Sequence, residues 1–209
     1  MKFLIIIAAF FCAHMVSASP TEITPLPSPT PAVANQTRTK LKHRKHPLLY
    51  SAIPTTVPNI IALNQQLPVG VKSASVRKRE VPISPIENNV YTVDGDLWRV
   101  EMEDDNDYHL EISARGATRT ADRIVAEIPS DPPYASTRKQ LLSILPGNYI
   151  FKRNASRTFA HPIHIRVTGY AFFDGQHWSS KTVRGNKHGM AFTATLWEIH
   201  PVWKVELVQ

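Results

Sequence analysis

The chain has 209 residues, 24 Lys and Arg against 17 Asp and Glu, and a formal net charge of +7. Its single cysteine, Cys12, lies in the first apolar run, so the rest of the chain offers no disulfide, thiol nucleophile, zinc-thiolate site or iron–sulfur cluster. If secreted, it must be held together by burial or by bound metal, without the disulfides that many small secreted folds use.

Lys2, an apolar run from Phe3 to Ala13 and the small-residue string Val16-Ser17-Ala18 predict a secretory signal peptide over residues 1–18, cut after Ala18. The run is too short for a spanning helix, which needs about 20 apolar residues. No other stretch is long enough, so no transmembrane segment is expected.

Residues 19–86 are rich in Pro, Ser, Thr, Ala, Asn and Gln and hold neither a period of 2 nor one of 3.6. Such composition predicts a disordered segment. It carries two basic clusters, Lys40-Leu41-Lys42-His43-Arg44-Lys45-His46 and Arg77-Lys78-Arg79. The second resembles a dibasic processing site. Cleavage after Arg79 would make residues 19–79 a propeptide, and a solvated basic linker is the alternative. From Ser19 to Ile86 there are nine basic residues against two acids; from Glu87 to Gln209 there are 14 against 15. Any binding of a polyanion or nucleic acid is therefore expected of the tail. Asn35 and Asn154 each open an Asn-x-Ser/Thr glycosylation string.

Residues 87–209 are the size of one small domain. Val90–Val93 and Leu97–Met102 read as two strands joined by a hairpin at Asp94-Gly95, followed by a strand over Tyr108–Ile112. Arg123–Ile128 is a further strand, stopped by Pro129. Asp131 is placed to cap a helix entered through Pro132-Pro133, with Ala135, Leu141, Leu142 and Leu145 on its apolar side and Pro146-Gly147 at its end. Ile163–Phe173, Phe192–Ile199 and Trp203–Val208 complete the strands. Gly169 marks a bulge or sharp bend. Strands, one helix, then strands predict a mainly β fold, an OB-fold-like small barrel, with another small α+β sheet as the alternative.

Three histidines fall where strand-like runs meet turns: His109, His177 and His200. With Asp174 they make a candidate set for a divalent metal such as zinc, since imidazole and carboxylate suit that ion. Glu198 and His200 share one strand face, and so do His109 and Glu111. The spacing matches no metalloprotease signature, and hydrogen bonding within turns is the competing role. Glu103, Asp104, Asp105 and Asp107 could suit calcium but lack the EF-hand pattern, so a solvated turn is expected. Trp178 beside Arg166, Lys181, Arg184 and Lys187 forms a candidate ligand-binding set of the base-stacking kind. Trp197 and Trp203 are assigned to the core.

Asp107-Tyr108-His109-Leu110, then Val167-Thr168-Gly169-Tyr170-Ala171-Phe172-Phe173-Asp174 with His177, then Trp197-Glu198-Ile199-His200-Pro201-Val202 resemble a group of uncharacterised bacterial secreted proteins. The resemblance runs over most of Asn89–Gln209, supports the domain boundary and implies no particular chemistry; the long basic tail departs from it. The leading expectation is a secreted, non-enzymatic binding module for an extracellular ligand or protein. The alternatives are a secreted metal-dependent hydrolase or nuclease, and an effector using Lys40–His46 as a nuclear-type signal.

Overall fold

Alternating apolar residues in the C-terminal two thirds of the chain build the strands that carry the fold. The structure, a computed structural model, describes residues 38–66, 81–147, 149–175 and 193–209. Its main elements are α1 (Arg38–Lys42), β1 (Ile53–Thr56), α2 (Val57–Ala62), β2 (Val90–Met102), β3 (Tyr108–Ser113), β4 (Arg123–Ile128), α3 (Ala135–Ile144), β5 (Ser156–Phe173) and β6 (Trp197–Leu207). The fold is mainly β, with strand order β1-β2-β3-β4-β6-β5 and a further pairing between β2 and β5. β2, β3, β4, β6 and β5 thus follow one another in a closed ring of pairings, antiparallel except for β4 with β6. Among the described residues no helix is long and apolar enough to cross a membrane.

The hairpin expected at Asp94-Gly95 does not form: β2 runs straight through it. Before Asp96, β2 pairs with β1 and β5; from Asp96 onward it pairs with β3 and β5. Gly95 stands at that change of partner for a steric reason. A Cβ there would lie 2.4 Å from Ile112 Cγ2 and 2.6 Å from the Ser113 carbonyl oxygen. At Gly169 the bend expected from sequence is present as register shifts between β5 and β6, and a Cβ would meet the Pro201 oxygen at 2.5 Å.

One face of the strands supplies the apolar core, including Leu97, Leu110, Ile124, Val167, Trp197 and Ile199. α3 packs on it through Leu141, while Thr137 Oγ1 donates to the Trp203 carbonyl at 2.7 Å. Asp131 does not cap α3. A 3-10 turn over Pro132–Tyr134 intervenes, and the Asp131 carboxylate is spent on His43 instead. Tyr134 and Thr137 occupy the inward positions, and Ala135 is exposed. Trp197 is in the core as expected. Trp203 is only partly buried, its ring 5.1 Å from that of Tyr170 and 5.4 Å from that of Tyr50, because the register shift opposite Gly169 leaves it between the paired Val202 and Lys204; Leu207, the last residue of β6, is exposed.

The largest departure from expectation is the segment assigned to a disordered tail over residues 19–86. Residues 38–66 and 81–86 of it form defined elements that are buried in part, with Leu48 and Leu49 exposed; residues 19–37 and 67–80, with Asn35 and Arg79, lie outside the described residues, as does Ala18. Leu41, Val57 and Ile60 are each 1% exposed. Each such side chain contributes about 1.5–3 kcal/mol on burial toward holding the segment on the strands. Thr56 caps α2 by accepting from the Asn59 amide, and Pro58 fits its first turn. The segment shows no period because it docks on a surface already made by the strands.

Candidate metal centre

The register of three strands builds the site. His109 stands directly opposite Glu127 in the β3–β4 pairing. β6 lies on the other side of β4, with Val125 opposite Glu198 and Ala126 opposite Ile199. Alternation then puts His109, Glu127, Glu198 and His200 on the face turned away from the apolar core. That face is not solvated: all four are at most 2% exposed.

Glu127 is the centre of this polar layer. Its Oε1 lies 3.2 Å from His109 Nδ1 and its Oε2 2.7 Å from His200 Nδ1. Glu103 Oε1 also reaches His109 Nδ1 at 3.2 Å. Burial works against the imidazolium of His109, but Glu103 and Glu127 outweigh it and raise the group to about 10. For His200 the same contest, won by Glu127, ends at about 9. Burial pushes Glu198 up to about 7, and the neighbouring carboxylates of Glu127 and Asp174 add to it. Burial also opposes ionisation of Glu127, yet His200 and Lys42 hold its carboxyl well below the ordinary glutamate range.

To one side the layer continues as an ion-paired chain. Glu111 accepts from Arg99 at 2.9 Å and from Arg123 at 2.8 Å. On the other side it is closed by α1 and the residues after it. Lys42 Nζ lies 3.8 Å from Asp174 Oδ2 and 5.5 Å from the Phe172 ring centroid. Arg38 donates to Glu87 at 2.8 Å and to the Phe173 carbonyl at 3.0 Å. Arg44 lies 3.4 Å over the Tyr170 ring and donates to the Glu87 carbonyl. Within the basic cluster, Lys42, His43 and Arg44 are therefore engaged within the fold, while Lys45 and His46 are exposed.

Two groups of side chains are spaced to hold an ion: Glu103, His109 and Glu127, and Asp107, Glu127 and His200. Asp104 and Asp105 are exposed in a turn, as expected of the acidic stretch, but Asp107 is not. It is 1% exposed, and its Oδ1 accepts from the Ser130 amide at 2.7 Å. Its Oδ2 has no hydrogen-bond partner among the described residues, nor has either ring nitrogen of His200, whose Nε2 lies 4.0 Å away.

The structure thus brings His109 and His200 onto one carboxylate and places Asp174 beside the same layer. His177, Trp178, Lys181, Arg184 and Lys187 lie outside the described residues. Arg166 is held by Asp94 through two contacts of 2.6 and 2.7 Å, so its guanidinium is already paired. Asn154 is exposed and donates to Asp104 at 2.8 Å. Sequence reasoning missed Glu127 and His43, and placed Asp107 in a solvated turn. For Glu127 the signal was an acid at an alternating position of a strand otherwise apolar toward its end; for His43 no periodic signal exists. No protein-family model matches this chain, and no curated protein matches it.

Proposed function

We propose that the chain is a secreted, non-enzymatic binding module, built on an OB-like barrel, whose polar layer binds a divalent metal ion. The scaffold reading is supported by the pairing order. Counting β2 as the first strand of the ring, the helix α3 falls between its third and fourth strands, as in the OB-fold. Secretion is supported by the leader-like residues 1–18. The strings that resemble the bacterial secreted group lie largely on β3, β5 and β6, the strands around the layer.

The observation that carries the metal reading is the pair Asp107 Oδ2 and His200 Nε2, both buried, both without a hydrogen-bond partner among the described residues, and 4.0 Å apart. Leaving a buried polar atom unpaired costs about 1–3 kcal/mol; one ion between them satisfies both. Binding is favoured over turnover because Asp107 and His200 are at most 1% exposed, so an ion held between them sits away from solvent. The test is elemental analysis and zinc titration of the full secreted chain beside His200→Ala. One ion per chain, lost in the variant, is expected. Absence of zinc binding in the unaltered chain overturns the metal reading, and zinc-dependent hydrolysis of phosphoesters or nucleic acids overturns the non-enzymatic one.

A further inference from the structure

We infer that His43, from the basic N-terminal segment, is the third ligand of this ion, and that the ion clasps that segment onto the strands. The inference rests on the metal-binding reading above and adds to it a ligand from outside the ring of strands.

Three side chains share one arrangement. His43 turns Nδ1 to Asp131 Oδ2 at 2.5 Å and Nε2 toward Asp107 Oδ2 at 3.8 Å. His200 turns Nδ1 to Glu127 Oε2 at 2.7 Å and Nε2 toward the same Asp107 oxygen at 4.0 Å. Asp107 is fixed through Oδ1 by the Ser130 amide and presents Oδ2 between the two imidazoles. Metal-ligating histidines almost always have the other ring nitrogen braced by a carboxylate, carbonyl or water, which sets tautomer and orientation. Here each imidazole has a carboxylate oxygen close behind it, hydrogen-bonded for His43 and in ion-pair contact for His200, and both face one unpartnered buried oxygen.

The separations fit an ion better than a hydrogen bond. Contacts of 3.8 and 4.0 Å are too long for hydrogen bonds. Two ligands held at about 2.0–2.2 Å from one tetrahedral zinc stand about 3.4 Å apart. The ring centroids of His43 and His200 are 6.4 Å apart, so seating the ion draws His43 inward. His43 is the member able to move, with its side chain 27% exposed, whereas His200 is fully buried. The backbone that carries it is held on the next residue, where Tyr134 donates to the Arg44 carbonyl and Arg44 lies over Tyr170.

The second group, Glu103, His109 and Glu127, does not compete for the ion. The Nδ1 of His109 already faces two carboxylates at 3.2 Å each, which is an ion pair complete without metal.

The experiment is a calorimetric zinc titration of the full chain and of His43→Ala, His43→Gln and His46→Ala, with hydrogen exchange across residues 38–46 measured with and without zinc. Both His43 variants should bind zinc at least about 100-fold more weakly, at or beyond the upper end of what loss of a bracing group costs, while His46→Ala binds as the unaltered chain does. Zinc should slow exchange across 38–46 in the unaltered chain and not in either His43 variant. The glutamine variant, similar in polarity and reach, guards against simple loss of packing in the alanine one. Zinc binding that is equal in the unaltered chain and the His43 variants overturns the clasp and leaves the metal reading standing. No zinc binding in the unaltered chain overturns both.

Discussion

Glu127 and His200 meet at 2.7 Å in the interior of the molecule, carboxylate oxygen to imidazole nitrogen, with neither side chain more than 2% exposed. A charge pair in such a place is costly to form and costlier to break. Removing one partner strands the other in a medium that solvates it poorly, at about 3–5 kcal/mol. Glu127 is also shared with His109, so its loss uncouples both imidazoles.

Glu127→Gln is therefore expected to lower stability by about 3 kcal/mol in urea denaturation and to weaken zinc binding about 10–100-fold, because it removes the brace behind His200. A variant with unchanged midpoint and unchanged zinc affinity would show that the layer is not organised around Glu127.

The N-terminal segment gives a second prediction. Leu41 and Ile60 are each 1% exposed, and alanine at a buried Leu or Ile typically costs about 2–5 kcal/mol. Leu41→Ala and Ile60→Ala should each lower the denaturation midpoint, and a chain beginning at Glu80 should be markedly less stable than the full chain. Equal stability of the shortened chain would return the segment to the role of a dispensable tail.

Gly95 tests the account of β2. Gly95→Ala places a methyl group 2.4 Å from Ile112 Cγ2 and 2.6 Å from a backbone oxygen. Overpacking of this kind costs about 1–3 kcal/mol or more. Gly116→Ala meets no atom within 4 Å and pays only for its φ of +78°, about 1 kcal/mol. Thermal denaturation should rank Gly95→Ala as the more damaging; the reverse order would contradict the close approach of β2 and β3.

Acid stability should depend on Glu111. Burial tends to raise its carboxyl, but the hydrogen bonds from Arg123 and Arg99 outweigh that and hold it below the ordinary value of 4.5. A carboxyl depressed in the folded state contributes stability that is full above its unfolded value and is lost as pH falls through the folded one. Stability should therefore decline below about pH 4.5, and Glu111→Gln should be less stable at neutral pH with a shallower decline on acidification. Parallel acid limbs for the two proteins would argue against this pair of salt bridges as the source.

How much was legible beforehand follows from how each part is held. β3, β4 and the last part of β5 were legible because alternation and Pro129 mark them locally. His109 was legible because it interrupts an apolar run near a strand end; His200 was singled out for a strand end that does not form, since β6 continues through Pro201 to Leu207. Asp94-Gly95 misled because a turn and a close strand crossing demand the same residue, and only the presence of β3 separates the two. The basic segment misled more deeply. Lys42, His43 and Arg44 look like solvated charge until carboxylates from β4, β6 and the turn at Asp107 are brought beneath them. That convergence is a property of the strand order, which no single stretch of sequence carries.

On the proposed reading, Asp107 and His200 hold one ion with His43 closing over it. Anomalous diffraction at the zinc edge, on crystals of the full chain grown with zinc, tests it most directly. The account predicts one peak about 2.0–2.2 Å from Asp107 Oδ2, His200 Nε2 and His43 Nε2, with Glu127 still behind His200. A zinc-saturated crystal with no peak there, or with its peak at surface residues and the three side chains unmoved, would contradict it.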